Sequence, residues 1–243
     1  LGTGGNKKST VSDGTQGDGI LVVYLETCGC PEGVAEAERR NALLPAAQVR
    51  AKELERDGKW ARAGIPRKFQ ACRLWSWPSA SAYPSVMEAL SPSQRSILLT
   101  GPFGRGKTGL AVGYAWECLN TLPITNIRFT AVPQMLAELR DTYNHPSYEE
   151  TPTEQQVIGK YARSGLLILD DLGAEQVKST GWLEDRLYQI IGERHAEERP
   201  TIFTSNLNLD ALADRIGERI TWRIAEMIGD NIINMEGLPN LRE

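Results

Sequence analysis

An eight-residue glycine-rich segment, Gly101–Thr108, lies between an apolar tetrapeptide and an amphipathic stretch of the 243-residue chain. It matches the pattern G-x-x-x-x-G-K-[ST] in full, and Ile97–Thr100 before it is typical of a buried strand. The glycines let the backbone curl so that successive N–H groups point at phosphate oxygens, and the following helix N-terminus adds its dipole. The segment predicts a phosphate-binding loop. A glycine-rich turn with a surface lysine is the alternative.

In such a loop Lys107 reaches the β and γ phosphates of a nucleotide, and the Thr108 hydroxyl binds Mg²⁺. The residues that we expect to surround the nucleotide are Gly101, Pro102, Phe103, Gly104, Arg105, Gly106, Lys107, Thr108 and Gly109.

From Ser96 onward, short apolar segments alternate with amphipathic ones, a pattern that indicates a parallel sheet covered by helices on both faces. The predicted strands are Ile97–Thr100, Ile127–Ala131, Leu166–Leu169, Thr201–Thr204 and, more weakly, Ile232–Met235. The predicted helices cover 107–120, 133–143, 180–197 and 209–228. An isolated strand over Ile20–Leu25 and helix over 35–62, interrupted near Pro45, precede them.

Polar side chains follow two of these strands. Asp170 and Asp171 come directly after Leu166–Leu169, so Asp170 is a candidate ligand of Mg²⁺ and Asp171 a candidate base for a water molecule. Asn206 follows the next strand and could position that water. An acidic pair at this place is also common as a solvated strand end or a helix cap.

Three arginines, Arg215, Arg219 and Arg223, recur at intervals of four beside an apolar stripe in the last helical stretch. Like charges at this spacing repel each other by a few tenths of a kcal/mol per pair, so the row favours an anionic partner. One of them could contact a γ phosphate held by a neighbouring subunit. A solvent face neutralised by nearby acidic residues is the alternative.

Composition and charge limit the kinds of protein that this chain can be. Hydrophobic residues make up 41% and charged residues 24%, which excludes a largely disordered, collagen-like or coiled-coil chain. No apolar run approaches the roughly 18 residues of a membrane span, and four cysteines without an apolar leader suggest a cytoplasmic protein. The net charge is −4, yet residues 39–73 hold ten basic and three acidic side chains. Such a block suits nucleic acid or a solvated helix face equally.

Several segments in order resemble helicase loaders of the DnaC/IstB type, within the AAA+ ATPases. They are Gly64–Phe69, the phosphate loop, Leu136–Arg140, Leu169–Glu175, Thr204–Asn206 and Gly217–Ile220. The resemblance implies a P-loop AAA+ fold of the α/β class, with a five-stranded parallel sheet flanked by helices. It divides the chain into an N-terminal partner-binding region, 1–63, and an ATPase domain, 64–243.

The resemblance also implies roles for individual residues. Asp170 becomes the metal carboxylate, Asp171 the catalytic base and Asn206 the sensor of the terminal phosphate. Arg219 becomes an arginine finger that acts on a neighbouring subunit, with Arg223 as a second contact. Loaders insert a single-strand-binding element near Arg140 and Tyr143, although core packing suits Tyr143 equally.

The sequence departs from this family pattern at both ends. Only 20 residues follow Arg223, so no C-terminal lid domain is expected, and Arg242 stands where some relatives place an arginine near the nucleotide. At the other end, Leu1–Gly5 and Cys28–Cys30 resemble parts of a zinc knuckle, whose structural Zn²⁺ would need two further cysteines.

The function expected from these residues is that of an ATP-hydrolysing helicase loader. Its cofactors would be ATP and Mg²⁺. Its partners would be single-stranded DNA, a replicative helicase and further copies of itself in a head-to-tail homo-oligomer, with no membrane. An IstB-like transposition helper acting on target DNA is the alternative. A phosphotransferase would need an acceptor pocket and lid arginines, and a non-catalytic ATP switch would not need Asp171 or Asn206.

Overall fold

A computed structural model describes residues 46, 48–77, 86, 90, 95–144, 152–174 and 181–241. By its packing the chain divides into two units, Leu1–Leu54 and Glu55–Glu243. The described residues of the first unit are helical, within a helix that covers 48–61 and is labelled α1 here. The second unit contains the phosphate loop and all the other elements described below.

The described part of the second unit alternates strands with helices. Its strands are β1 (Ile97–Thr100), β2 (Ile127–Ala131), β3 (Leu166–Leu172), β4 (Thr201–Ser205) and β5 (Ile232–Asn234). Its longer helices are α2 (Lys107–Thr121), α3 (Val132–Asn144), α4 (Glu154–Ala162), α5 (Gly181–Ala196), α6 (Leu209–Ile216) and α7 (Glu218–Ile228). Two short 3₁₀ turns, Arg67–Phe69 and Leu74–Ser76, precede β1.

The strands described form one sheet in the order β2-β3-β4-β1-β5, and each pair is parallel. The strand with the phosphate loop, β1, lies between β4 and β5, whereas β3 lies on the far side of β4. Parallel strands end at the same edge of a sheet, so this order brings the ends of β1, β3 and β4 together. The predicted five-stranded parallel α/β fold is confirmed.

Both faces of the sheet are covered, which explains why its central strands are apolar at almost every position. Ile97 and Leu99 of β1 pack with α2 and with residues of the 63–77 segment. Leu98 points to the opposite face and packs with α3 to α7. Within the 63–77 segment Trp77 is buried, whereas 78% of Trp75 is exposed.

The structure corrects the predicted helices in two places. The single helix predicted over 209–228 is wrong, because Gly217 separates α6 from α7 with a φ of +93°, outside the helical region. The short helix α4 was not predicted, although Thr153 caps it by accepting a hydrogen bond from the Gln156 N–H. The strand predicted over Ile20–Leu25 lies outside the described residues. No helix among those described combines the length and apolarity needed to cross a membrane.

Candidate active site

The phosphate loop connects the end of β1 to the start of α2, as its sequence pattern predicts. Gly104 and Gly106 both have φ near +80°, a backbone conformation that residues other than glycine rarely adopt. A Cβ atom at Gly106 would also lie 2.7 Å from a methyl carbon of Leu241. The loop is therefore shaped by glycine and packed against the C-terminal segment, whose Leu241 N–H donates to the Gly104 carbonyl at 2.8 Å.

The ammonium group of Lys107 is buried inside this loop, with only 6% of the residue exposed. It donates hydrogen bonds to the carbonyl oxygens of Gly101 (2.6 Å) and Pro102 (2.9 Å). It also donates to Oδ1 of Asn206 at 2.6 Å. The structure thus brings the predicted Asn206, from the loop after β4, to the lysine of the phosphate loop.

Asp170 of β3 lies next to Thr108, the last residue of the phosphate loop. The Thr108 hydroxyl is 2.9 and 3.1 Å from the two carboxylate oxygens, and the Thr204 hydroxyl donates to Oδ1 at 2.6 Å. Burial raises the pKa of Asp170 above its ordinary value, and the hydrogen bonds from both hydroxyls oppose that rise. A buried carboxylate beside a threonine hydroxyl matches the oxygen donors that Mg²⁺ prefers.

A bulge in β3 places the second acid. Leu169 pairs with Phe203 and Leu172 with Ser205, so β3 has one residue more than β4 between these pairs. Successive side chains of a regular strand point to opposite faces, whereas an extra residue re-aims one of them. Asp171 takes a φ of +56°, and its N–H donates to the Thr204 hydroxyl at 3.0 Å. Both Asp170 and Asp171 therefore line the same cavity.

That cavity has a volume of about 430 Å³. Its walls include the residues predicted for the nucleotide and its hydrolysis, namely Phe103, Gly104, Gly106, Lys107, Thr108, Gly109, Asp170, Asp171 and Asn206. Gly101, Pro102 and Arg105 are in the loop but do not line it. Lys68, Phe69 and Leu241 line it as well and were not predicted as site residues. Lys68 and Phe69 belong to Gly64–Phe69, a segment on which the family resemblance was based, and that resemblance was the sequence signal that could have identified them.

The predicted arginines lie elsewhere. Arg219 lines a second cavity of about 390 Å³ together with Tyr188 and Gly217. Neither Arg219 nor Arg223 lines the cavity of the phosphate loop in the same chain. The structure therefore gathers Asp171 and Asn206 around Lys107 but leaves both arginines apart from them.

The predicted DNA-binding residues Arg140 and Tyr143 lie near the end of α3, beside α5. Tyr143 is 51% exposed, so it is not a core residue. Its ring centroid is 6.2 Å from that of Trp182, and Arg140 lies 5.2 Å from the Trp182 ring. Arg186 contacts both rings: its guanidinium carbon is 5.5 Å from the centre of the Trp182 ring, and it donates to the Tyr143 hydroxyl at 2.8 Å. The structure thus places two aromatic rings and two guanidinium groups side by side, and the carboxylate of Glu154 pairs with Arg186 at 2.5 Å.

The sequence that forms this site matches a known protein family. Residues 89–233, which contain the phosphate loop, Asp170, Asp171 and Asn206, match the family described as IstB-like ATP binding protein. The chain belongs to this family. Its predicted resemblance to the DnaC/IstB type is confirmed.

Individual relatives of the IstB-like chain agree with this assignment. The replicative helicase loader DnaC of Escherichia coli is 23% identical over 193 residues, which cover 72% of this chain and 75% of DnaC. An ATP-binding protein in an insertion sequence of Mycobacterium tuberculosis is 31% identical over 111 residues, or 46% of this chain and 40% of that protein. The crystal structure of the DnaC helicase loader has the same fold, with a TM-score of 0.57, 21% identity, and coverage of 70% of this chain and 99% of that one.

Three predictions for the IstB-like chain fall outside the described residues: Cys28 and Cys30 as zinc ligands, and Arg242 near the nucleotide. Within the part of the chain that the structure describes, no group of three or more histidine, cysteine, aspartate or glutamate residues could hold a metal ion. A Zn²⁺ site therefore has no support in the structure. The Thr108 and Asp170 pair would hold a cation only together with other ligands, such as phosphate oxygens.

Proposed function

We propose that this chain is an ATP-hydrolysing loader of a replicative helicase, working in the cytoplasm. The observation that supports it best is the convergence of Lys107, Thr108, Asp170, Asp171 and Asn206 on one cavity. These residues come from the ends of three parallel strands, as in other sheets that bind nucleotides at their carboxyl edge. The matched family and the similarity to a helicase loader support the same function.

Lys107 and the loop amides would bind the triphosphate. The Lys107 ammonium now donates to two carbonyl oxygens of its own loop and to Asn206. Phosphate oxygens are anionic acceptors, so we expect them to replace the two carbonyls while Asn206 remains within reach. Lys68 and Phe69 line the same cavity and would contact the rest of the nucleotide.

Thr108 and Asp170 would hold Mg²⁺ beside the β and γ phosphates. Bound there, the ion supplies positive charge that stabilises the phosphates during transfer. Burial raises the pKa of Asp170, and a cation bound beside its carboxylate would oppose that rise. The residues therefore fit the metal that the phosphate loop implies.

Asp171 would accept a proton from the attacking water. The water oxygen attacks the γ phosphorus, its proton passes to the Asp171 carboxylate, and the bond to the β–γ bridging oxygen breaks to leave ADP and phosphate. Asn206 would orient the water and the γ phosphate, since it lies 2.6 Å from the lysine that binds the same group.

Arg219 and Arg223 would complete the site of a second copy. Neither lines the cavity of its own chain; Arg219 is exposed on α7, and Arg223 is half-buried beside it. A head-to-tail homo-oligomer would let them approach the terminal phosphate of the neighbouring nucleotide. An arginine finger of this kind raises the rate of hydrolysis by about 10³–10⁵ in nucleotide hydrolases.

Single-stranded DNA would bind at Arg140 and Tyr143, with Trp182 beside them, whereas Arg186 is already paired with Glu154. Exposed rings stack on bases and guanidinium groups bind phosphates, a combination that grips single strands with little sequence preference. The exposure of Tyr143 supports this role over core packing.

ATPase measurements over a range of protein concentrations test the proposal. We expect the rate per chain to rise with concentration, because assembly supplies Arg219, and we expect Arg219→Ala to lower it by about 10²-fold or more. A rate per chain that is independent of concentration and unchanged in Arg219→Ala would contradict it.

Single-strand binding is tested by fluorescence anisotropy with a labelled oligonucleotide. Tyr143→Ala should weaken binding about 5- to 150-fold, since stacking of one base contributes about 1–3 kcal/mol, and Arg140→Ala should weaken it as well. Trp75→Ala is the matched control, because Trp75 is an exposed aromatic residue at a distant place in the sequence. Equal losses in all three variants would count against the site.

An IstB-like transposition helper is the second candidate function. The matched family and the relative in an insertion sequence favour it, and the same ATPase site would serve it. Pull-down with a purified replicative helicase and with a transposase would separate the two candidates. Binding of the transposase alone would favour the helper.

A further inference from the structure

Tyr188 on α5 contacts two arginines of the neighbouring helix α7. The guanidinium carbon of Arg223 lies 4.2 Å from the centre of the Tyr188 ring, and that of Arg219 lies 4.8 Å from it. Both side chains also donate to the phenol oxygen, Arg223 at 2.6 Å and Arg219 at 3.3 Å. One aromatic side chain therefore holds two cations together.

No direct ion pair holds either arginine in the part of the chain that the structure describes. Among the described residues, no carboxylate oxygen lies within 4.0 Å of either guanidinium group. Glu184, Asp185 and Glu218 line the cavity beside Arg219 without pairing with it. Two like charges on one phenol repel each other, and an anion that accepts from both would remove that repulsion.

The two arginines differ in how firmly they are held. Arg223 has a second hydrogen bond, from Nη1 to the Arg219 carbonyl at 3.1 Å, and it lies against Gly192, where a Cβ would be 3.8 Å from its Nε. Gly192 is one turn after Tyr188 on α5. The Arg223 side chain therefore packs on the Tyr188 ring and beside Gly192, which has no side chain to obstruct it. Arg219 is exposed and has the longer hydrogen bond. Its tip is the one free to reach another molecule.

We infer that Tyr188 is a positioning residue that aligns Arg219 and Arg223 for the terminal phosphate of a nucleotide bound by a second copy. The inference rests on the proposed function, in which Arg219 acts across the interface between copies. A phenol suits this task better than a carboxylate, because it accepts hydrogen bonds and offers its ring face without cancelling the positive charge. Ordering both side chains before assembly also lowers the entropy lost when they engage the phosphate.

A complementation assay tests the role of Tyr188. Lys107→Ala chains cannot bind nucleotide but carry intact arginines, so they serve as donors. Arg219→Ala chains bind nucleotide but lack the finger, so they serve as acceptors. Mixing the two should restore ATP hydrolysis in the acceptors. The donors are then made with a second substitution, Tyr188→Phe, Tyr188→Ala or, as the control, Tyr161→Phe.

Tyr161 is a matched control because Lys160 lies 4.8 Å from its ring centre and its hydroxyl bonds Glu138, away from the phosphate loop. We expect the Tyr161→Phe donor to restore the full rate. The Tyr188→Phe donor, which keeps the ring, should restore about a third of it, and the Tyr188→Ala donor less than a tenth. The KM for ATP should be equal in all mixtures, because the acceptor site is unaltered.

Each possible result decides something. If Lys107→Ala itself restores nothing, action between copies is wrong, and the role of Tyr188 is overturned with it. If Lys107→Ala restores the rate and the Tyr188 donors do so equally well, Tyr188 does not position the arginines, while the proposed function stands. Rates are normalised to the assembled fraction measured by sedimentation, so that a loss of assembly is not mistaken for misplaced arginines. If Tyr188→Ala does not fold, the Tyr188→Phe donor decides.

Discussion

At the scale of single residues, Asp170 links the stability of the protein to its ligands. Its pKa is raised, chiefly by burial, so the folded chain binds this proton more tightly than the unfolded chain does. The stability that results is present in full below the ordinary pKa near 3.8, and it is lost as the pH rises through the raised value. At neutral pH the ionised carboxylate therefore lowers the free energy of unfolding when no metal is bound.

We predict that Asp170→Asn unfolds at higher denaturant than the wild-type chain at pH 7 when nucleotide and Mg²⁺ are absent. The amide oxygen can still accept from Thr108 and Thr204, while the buried charge is removed. The difference in free energy of unfolding between the variant and the wild-type chain should shrink as the pH falls toward 3.8, because the wild-type carboxyl group is then protonated. Urea unfolding at several pH values measures it. A gain that is independent of pH would mean that the charge of Asp170 is not its cause.

At the scale of elements, Arg194 of α5 joins three segments of the chain. It is fully buried and donates to the carbonyls of Tyr161, Ala162, Ser164 and Pro200 and to the Thr201 hydroxyl. These acceptors lie at the end of α4 and just before β3 and β4. Burial, with a smaller contribution from Arg199, lowers the pKa of Arg194 to about 9, which leaves it a cation at neutral pH.

We predict that Arg194→Met lowers the free energy of unfolding by about 3–5 kcal/mol, because the carbonyls of Ala162 and Ser164 lose their donor at about 1–3 kcal/mol each and those of Tyr161 and Pro200 lose one of two. Arg163→Ala is the control. Arg163 is an exposed arginine whose ion pair with Glu193 should contribute under about 1 kcal/mol. Both values come from urea unfolding followed by circular dichroism. Equal losses in the two variants would refute a structural role particular to Arg194.

Elements differ in how well their sequence predicts them. The strands and α2 were predictable, since a buried parallel strand is a run of apolar residues and the loop motif marks the start of α2. Helix α4 was missed because its nine residues follow a polar stretch and include only a few apolar positions. The break at Gly217 was missed because the apolar stripe continues across it. The bulge at Asp171 has no local signal, since it depends on the pairing of β3 with β4.

At the scale of the whole molecule, the candidate site is assembled from distant segments. Lys68 and Phe69 precede β1, Asp170 lies within β3, Asn206 follows β4 and Leu241 belongs to the C-terminal segment. A motif within one segment predicts chemistry well, which is why Lys107 and Asp170 were found. Leu241 and Tyr188 carry no motif, and only their packing brings them to these places.

Because one ligand would contact all these segments, nucleotide binding should stabilise the fold as a unit. We predict that a nonhydrolysable ATP analogue with Mg²⁺, at 100 times its Kd, stabilises the chain by about 2.7 kcal/mol. For a chain of this size that corresponds to a rise of about 5–10 °C in the Tm. Differential scanning fluorimetry measures it. Lys107→Ala should show no rise, and a similar rise in that variant would point to binding elsewhere.

The bulge in β3 makes the paired acids vulnerable to a particular kind of mutation. Only Asp170 and Asp171 lie between Leu169 and Leu172, so deleting one codon there would restore a regular ladder with β4 but remove one of the two acids. The sheet would still pair, whereas the cavity would keep a single carboxylate, which could not bind the metal and accept a proton at the same time. The hydrolysis that we propose therefore depends on the extra residue that the bulge accommodates.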